Sequence, residues 1–176
     1  MELIDIFDEN NNPTGVIKEK YEAHEEELFH RTAHIWIINN KNELLLQKRS
    51  AKKKSEPNCW DISGAGHINA GESVIEGALR ELSEELGVIT EEKNLEYIAT
   101  IKSTKNPKNL EFQYVYLLRT EMKIEEYVFK DEEVSEVKYV YYKNLEKMVE
   151  NRIPGLLMHD EEYKKLLQKE LKKYLI

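Results

Sequence analysis

The chain has 176 residues, of which 40% are hydrophobic and 34% are charged, and its formal net charge is −8. This length is sufficient for one domain with a hydrophobic core, and no apolar run approaches the roughly 20 residues that a membrane-spanning helix needs. The acidic balance argues against binding to a nucleic-acid polymer, so a phosphate-bearing ligand would need a local basic patch.

The N-terminal region is predicted to form a β-hairpin over about residues 1–20. Residues 3–7 and those from Val16 onward have strand character, and the segment 10–15 between them, rich in Asn with Pro and Gly, is typical of a turn. A short helix or an ordered loop follows at 21–28. This N-terminus lacks the basic and apolar regions of a signal peptide, and the single cysteine, Cys59, excludes an internal disulfide, so we expect a cytoplasmic protein.

The next segment is predicted to contain two strands, a basic loop and a third, short strand. Residues 32–38 and 43–49 are apolar segments joined by a tight turn, which indicates a hairpin. The loop 49–57 carries four basic residues: Arg49, Lys52, Lys53 and Lys54. Arginine and lysine bind phosphate oxygens, so this loop is the candidate basic patch, with a merely solvated loop as the alternative. Residues 60–63 form the short strand.

A helix is predicted over residues 73–86, with three glutamates close together on one face. Its apolar residues recur at helical spacing and form the stripe to be buried: Ile75, Leu79, Leu82 and Leu86. Glu81, Glu84 and Glu85 stand at i, i+3 and i+4, so their like charges repel unless a hard cation such as Mg²⁺ or Mn²⁺ binds between them. Gly87 is placed to end the helix. The alternative is a solvated acidic face.

The remainder of the chain is predicted to form strands over 95–102, 111–119 and 134–141, followed by helices over 144–150 and 160–175. In the second of these strands alternate residues are large and apolar, which predicts one packed face: Phe112, Tyr114, Tyr116 and Leu118. Stacking of Tyr114 and Tyr116 on a nucleobase is the alternative. Strands around one central helix, with helices at the end, predict an α/β fold with a mixed sheet between helical layers.

Residues 66–88 match the Nudix box, GX5EX7REUXEEXGU, at every position. The fixed residues are Gly66, Glu72, Arg80, Glu81, Glu84, Glu85 and Gly87, with Leu82 and Val88 as the apolar ones. The chain therefore resembles the Nudix hydrolases, which cleave a diphosphate linked to another group with a divalent metal. The resemblance implies an α/β/α sandwich in which residues 1–176 form a single Nudix domain, with C-terminal helices at about 144–175.

The spacing and the resemblance together assign roles to the box. Glu81, Glu84 and Glu85 are the candidate metal ligands, and a backbone carbonyl at Gly66, or at Ala65, completes the set. Glu72 and Arg80 are expected to form an ion pair that braces the loop against the helix. The base that activates water is Glu81 or Glu84 within the box, or Glu132 or Glu133 on a distant loop.

The flanking segments are similar to the isopentenyl-diphosphate-isomerase-type branch of the family. They are residues 21–24, 30–31, 44–49 and 60–67 together with the opening hairpin. This similarity implies that Arg49 and Lys53 contact the diphosphate. It also identifies His24, His30, His67 and Glu111 as possible ligands of a second metal. The alternative is that His30 and His34 make ordinary hydrogen bonds and that His24 is a surface residue.

One difference from the isomerases favours hydrolysis. In those enzymes a catalytic cysteine immediately precedes the Gly-His pair and the Nudix box is degraded, whereas here that position is Ala65 and the box is intact. We therefore expect Mg²⁺- or Mn²⁺-dependent pyrophosphohydrolysis of a nucleoside diphosphate derivative or a (d)NTP or (d)NDP. An isoprenoid-diphosphate hydrolase or isomerase, and a catalytically silent Nudix module that senses a nucleotide, are the alternatives. The expected partner is a small diphosphate and not a membrane or a nucleic acid, and a homodimer stays open.

Overall fold

The computed structural model describes residues 1–130, 132–157 and 161–176. The strands in these ranges are β1 (Leu3–Phe7), β2 (Pro13–Glu19), β3 (His30–Ile38), β4 (Glu43–Arg49), β5 (Trp60–Asp61), β6 (Gly64–His67), β7 (Leu95–Ser103), β8 (Glu111–Arg119) and β9 (Val134–Tyr141). The helices are α1 (Lys20–Glu25), α2 (Val74–Leu86), α3 (Tyr142–Glu150) and α4 (Glu161–Lys169). The predicted α/β architecture with a mixed sheet and an N-terminal hairpin is confirmed.

The centre of the sheet is the parallel pair β3–β8, in register from His30 opposite Glu111 to Ile38 opposite Arg119. The other pairings are antiparallel, with β7 on the far edge of β8 and with β9 and β5 beside β4. The hairpin predicted from residues 32–38 and 43–49 is correct only at its turn, where Ile38 faces Leu44. β6 pairs with β3 instead and occupies the edge that β4 would use. The sequence analysis assigns no strand to these β6 residues.

Each face of the sheet is covered by a separate apolar cluster. On one face α2 packs through Leu82 and Leu86 against β3, with Ile75 and Leu79 at the margin, which confirms the predicted stripe. On the other face α3 and α4 cover a second cluster that includes Trp36 and Tyr163. The packed face predicted for β8 is correct, but its other face is also buried, because helices cover both faces of the sheet. Tyr116 is part of the first core cluster, so stacking on a nucleobase is not its role.

The ends of α2 follow the sequence prediction. The Ser73 side chain accepts a hydrogen bond from the Glu76 N–H, and the Glu76 carboxylate accepts one from the Ser73 N–H, so the helix begins with a capping box. Gly87 has a φ of 69° and ends the helix in the left-handed conformation. A side chain there would also collide with Val128, whose carbonyl oxygen lies 2.7 Å from the position of a Cβ atom.

The remaining boundaries differ modestly from the predictions. Of the short strand predicted over 60–63, only the first two residues form a strand, which is β5. Helix α3 begins two residues before the predicted start at 144. The first residue of the last predicted helix, 160–175, lies outside the described residues. Within the remainder, α4 ends at Lys169 and a 3₁₀ turn follows at Leu171–Tyr174. In the described part of the chain we find no helix that is long and apolar enough to cross a membrane.

The N-terminal hairpin is attached to the loop that precedes α2. Ile4, Ile6 and Ala23 bury a small apolar cluster of their own between the hairpin and α1. The Ala70 N–H donates to the Leu3 carbonyl at 2.8 Å, and the Gly71 N–H donates to the Asp5 carboxylate at 2.8 Å. The hairpin thus holds the box loop from outside the sheet.

Candidate active site and histidine cluster

Strand β6 and helix α2 place Gly66 directly against Glu81. β6 pairs with β3, with Ala33 opposite Gly66, and it also packs against α2. A Cβ atom at position 66 would lie 2.0 Å from the carboxyl carbon of Glu81, a separation that two non-bonded carbon atoms do not reach. The Glu81 carboxylate can therefore occupy its place beside the β6 backbone only because residue 66 is glycine.

The three predicted metal-binding carboxylates project from neighbouring positions of α2 into different environments. Glu85 is 3% exposed and accepts hydrogen bonds from the Ala65 N–H at 3.1 Å and from Gln47 Nε2 at 3.2 Å. The Glu81 side chain is 12% exposed and that of Glu84 is 50% exposed. The three carboxylates thus differ in exposure, from Glu85, buried against the β6 backbone, to Glu84, half exposed to solvent.

Arg80 links these carboxylates to the box loop. Its Nε and Nη2 atoms each donate to a different oxygen of Glu72 at 3.0 Å, which is the ion pair that the sequence predicted. The sequence did not indicate three further bonds, to the His67 carbonyl at 2.8 Å, to Glu81 at 2.7 Å and to Glu84 at 3.1 Å. The guanidinium therefore orients two of the candidate metal ligands as well as bracing the loop.

The pKa of the Glu81 carboxyl is shifted by its surroundings. Burial raises its pKa to about 7, although the adjacent Arg80 acts in the opposite direction and the charges of Glu84 and Glu2 add to the increase. A carboxyl group with this environment binds a proton or a cation more readily than an exposed glutamate does.

In the basic loop, the predicted diphosphate-binding residues have partners within the protein. The Arg49 guanidinium donates to the Ser55 carbonyl at 3.0 Å and lies 3.5 Å from Asp61. The Lys53 ammonium pairs with Glu133. Lys52 pairs in the same way with Glu132, so the two remote candidates for the catalytic base are the anionic partners of the basic loop.

The structure brings together three histidines from separate elements: His24 from α1, His30 from the start of β3 and His67 from the end of β6. Their ring centroids lie 5.0 to 5.3 Å apart, and one ring nitrogen from each lies within 4.8 Å of the other two. The fourth predicted ligand, Glu111, stands opposite His30 on β8, and its Oε1 lies 3.8 Å from His30 Nε2. The description of His24 as a surface residue is therefore wrong.

The cluster has the donor set of a metal site. In the described part of the chain, the Nε2 atoms of His24, His30 and His67 are buried and have no hydrogen-bond partner. His30 bonds the Leu28 carbonyl through Nδ1 at 3.0 Å, which leaves the lone pair on Nε2. Burial lowers the pKa of His67 to about 3 and also lowers that of His24, so both are neutral near pH 7. Neutral imidazole nitrogens are common ligands of transition metals, so these residues fit a metal ion.

The fourth predicted ligand also fits, whereas a nearby histidine does not belong to the cluster. Burial alone would raise the pKa of Glu111, but the adjacent His30 ring, whose Nε2 lies 3.8 Å from Oε1, lowers it overall. Glu111 therefore adds a carboxylate to the three nitrogens. His34 makes the ordinary hydrogen bond that the alternative interpretation assigned to it, with Nδ1 3.2 Å from the Tyr163 hydroxyl.

Sequence reasoning missed Glu2, Lys20 and Gln47, which surround the two groups of candidate ligands. Glu2 lies between Lys20 and His67, and Gln47 donates to Glu85. Glu2 and Gln47 are each more than 35 positions away from their partners in the box. Lys20 belongs to no motif. Glu2 could have been identified only from the contact between β1 and the box loop. That contact is tertiary, so it is not visible in the sequence.

Comparison with protein families gives a match to the NUDIX domain model over residues 28–160. The chain is 35% identical over 161 residues to an uncharacterized Nudix hydrolase of Clostridium acetobutylicum, covering 88% of this chain and 77% of that protein. It is 38% identical over 175 residues to Nudix hydrolase 3 of Arabidopsis thaliana, covering 94% of this chain but only 23% of the plant protein. It is also 31% identical over 153 residues to isopentenyl-diphosphate Delta-isomerase 2 of Photorhabdus laumondii, covering 85% and 83%.

Solved structures show the same fold. A protein of Deinococcus radiodurans matches with a TM-score of 0.72 at 20% identity, covering 96% of this chain and 98% of that chain. A bifunctional NMN adenylyltransferase/ADP ribose pyrophosphatase of Francisella tularensis, solved with AMP and a manganese ion, matches with a TM-score of 0.58 at 18% identity, covering 79% and 41%.

Proposed function

The chain belongs to the Nudix hydrolase family, and we propose that it hydrolyses the diphosphate linkage of a nucleoside diphosphate derivative in a divalent-metal-dependent reaction. The observation that carries the proposal is the contact between Gly66 and Glu81, together with the bonds that hold Glu85 against β6. These contacts hold carboxylates of an intact box against the backbone of the preceding strand. A solvated acidic face would need neither the glycine nor the buried glutamate.

In this proposal Glu81, Glu84 and Glu85 hold Mg²⁺ or Mn²⁺ together with the backbone carbonyl of Gly66. The cation, when bound, offsets charge on the phosphate oxygens and lowers the pKa of a bound water. Arg80 keeps Glu81 and Glu84 in position and Glu72 anchors Arg80 to the loop. Glu81 or Glu84 accepts the proton of the attacking water, with Glu132 or Glu133 as the remote candidates.

We assign diphosphate binding to Arg49 and Lys53. Both side chains have internal anionic or carbonyl partners, so they are held in defined positions. A diphosphate carries more charge than the single carboxylate of Asp61 or Glu133, and it therefore competes for these cations. The proposed ligand is a small molecule, since the chain has a net charge of −8.

We also propose that His24, His30, His67 and Glu111 hold a second metal ion. The support comes from the three buried, unpaired nitrogens and the adjacent carboxylate. The histidine–carboxylate set suits Mn²⁺, Zn²⁺ or Co²⁺ better than Mg²⁺, which prefers oxygen ligands. This site lies next to the box, because His67 follows Gly66 directly in β6.

An isoprenoid diphosphate is the second candidate substrate. The similarity to the Photorhabdus isomerase and the histidine cluster favour it. Isomerisation is disfavoured because the methyl group of Ala65 has no exchangeable proton to offer.

Purified protein tests the proposal when it is incubated with ADP-ribose, diadenosine tetraphosphate, nucleoside di- and triphosphates and prenyl diphosphates. Products are followed by ³¹P NMR with Mg²⁺, with Mn²⁺ and with chelator. We expect metal-dependent release of phosphate or a monophosphate from one class. Glu84→Gln should lower turnover by at least ~100-fold, whereas the exposed Glu91→Gln should leave it unchanged. Tight nucleotide binding without turnover would instead indicate a sensing module.

A further inference from the structure

Glu2, near the N-terminus, lies beside the histidine cluster although it is not part of the box. Its Oε1 atom lies 3.5 Å from His67 Nδ1, and its Oε2 atom pairs with the Lys20 ammonium. The Glu2 side chain is one-third exposed, so it lies at the edge of the cluster and not within it. His67 Nδ1 is thus the ring nitrogen that faces Glu2, whereas Nε2 is buried and has no hydrogen-bond partner among the described residues.

The position of Glu2 is fixed by the main chain on both sides. The Lys20 N–H donates to the Glu2 carbonyl at 2.9 Å, and Leu3 stands opposite Glu19 in the β1–β2 pair. On the other side, Ile4 forms a bridge with Asn69, two residues after His67. Because β1 is paired with β2 and also bonded to the box loop, the distance between the Glu2 carboxylate and the His67 ring is fixed.

A carboxylate beside Nδ1 has a definite effect on an imidazole. It favours the tautomer with the proton on Nδ1, which leaves the lone pair on Nε2 for a metal ion, and it fixes the orientation of the ring. The Leu28 carbonyl does the same for His30 through the 3.0 Å contact at Nδ1. Two of the three histidines thus have an oxygen acceptor beside Nδ1 and a buried Nε2 without a hydrogen-bond partner in the described part of the chain.

We propose that Glu2 is a positioning residue that holds His67 in the metal-binding tautomer and orientation. The pair with Lys20 keeps the Glu2 carboxylate directed towards His67. This inference rests on the histidine metal site put forward under Proposed function. It makes the N-terminal hairpin part of the metal site, although the hairpin supplies none of the residues of the box.

A purely structural role for Glu2 makes a different prediction. If Glu2 served only to tie the hairpin to α1 through Lys20, then Lys20→Met would have the same effect as Glu2→Ala, and both would act through stability. If Glu2 acts on His67, then Glu2→Ala weakens metal binding more than Lys20→Met does.

The test uses the full chain, freed of metal with a chelator and titrated with Co²⁺ in excess Mg²⁺, which fills the carboxylate site. Binding is measured by calorimetry and by the visible absorption of histidine-bound Co²⁺. We expect one site in the wild type, loss of its absorption band in His24→Ala, and a Kd raised about 10- to 100-fold in Glu2→Ala. The matched control is Glu26→Ala, because the Glu26 carboxylate at the end of α1 pairs with Lys18 of β2 at 2.8 Å and not with a histidine ring.

The possible outcomes are distinguishable. Co²⁺ binding by Glu2→Ala with the affinity of Glu26→Ala, while His24→Ala has lost it, would overturn the role of Glu2 and leave the histidine site intact. An equal loss of affinity in Lys20→Met and Glu2→Ala, with parallel losses in melting temperature, would likewise overturn it in favour of a tether. Absence of histidine-dependent binding in the wild type would remove the second metal site and this inference together, without affecting the carboxylate site.

Discussion

Gly66 and Glu81 are in direct contact, such that a methyl group on residue 66 would occupy the space of the Glu81 carboxyl group. The strand and the helix therefore meet at the point where the box predicts a metal ion. Because of this contact, the position of the candidate ligand Glu81 depends on the absence of a side chain at residue 66. A substitution of Gly66 therefore tests the site directly.

Gly66→Ala is expected to lower metal-dependent turnover by at least ~100-fold, because the Glu81 carboxylate must leave its place beside β6. The measurement is kcat for the identified substrate together with Mn²⁺ affinity. Gly64→Ala is the matched control in the same strand, since a Cβ atom there comes no closer than 3.4 Å to Glu85. Equal activity of the two variants would show that the position of Glu81 does not matter.

Arg80→Ala is expected to reduce both stability and activity. Arg80 makes charged hydrogen bonds to Glu72 and one to the His67 carbonyl, and its partners are largely shielded from water. Loss of these bonds should lower the free energy of unfolding by roughly 1–3 kcal/mol, as measured in urea. Lys93→Ala, which removes an exposed pair with Glu91, serves as the control. Unchanged stability with activity lost would assign Arg80 to chemistry alone.

Arg49→Ala is expected to raise KM for the diphosphate substrate by about 10-fold or more with a smaller change in kcat, because a charged hydrogen bond to phosphate is removed from both the ground state and the transition state. Lys53→Ala should act in the same direction. Steady-state kinetics of both variants, with Lys41→Ala as a control outside the loop, provides the measurement. If KM is unaffected in both, the basic loop is a solvated surface.

The sequence predicted those parts of the fold that depend on local periodicity. The apolar stripe of α2, its start near residue 73 and its end at Gly87 all follow from the pattern of residues within this one segment. The place of β6 could not be predicted, because its partner β3 is about 30 residues away and its own sequence, Gly-Ala-Gly-His, has little strand character.

The same distinction applies to the site. The spacing of Glu81, Glu84 and Glu85 on one helix made that group visible in the sequence. The histidines lie on three elements and have no ligand spacing, so only the resemblance to a family singled them out. The proximity of Glu2 to His67 depends on β1 meeting the box loop, and it has no signal in either segment.

The histidine cluster should stabilise the protein against heat when a transition metal is added. A ligand that binds only the folded state at 100 times its Kd stabilises by ~2.7 kcal/mol, which corresponds to roughly 5–10 °C in a chain of this size. Thermal melts of chelator-treated protein in excess Mg²⁺, which occupies the carboxylate site, should show this rise on addition of Zn²⁺ in the wild type and not in His24→Ala. A similar rise in both proteins would place the bound metal at the carboxylates.

The final prediction distinguishes hydrolysis from isomerisation of a prenyl diphosphate. Moving a double bond needs one group that donates a proton to the alkene and another that removes one, and the Ala65 side chain, which packs against the second core cluster, can do neither. Isopentenyl diphosphate incubated with the protein in D₂O should therefore show neither a dimethylallyl product nor deuterium in the carbon chain by ¹H NMR. If this compound is a substrate, ³¹P NMR should show only phosphate or a monophosphate. Ala65→Cys provides the comparison, because it restores a thiol while the box stays intact. Efficient isomerisation by the wild type would overturn the hydrolase assignment, whereas isomerisation confined to Ala65→Cys would show that this one side chain separates the two reactions.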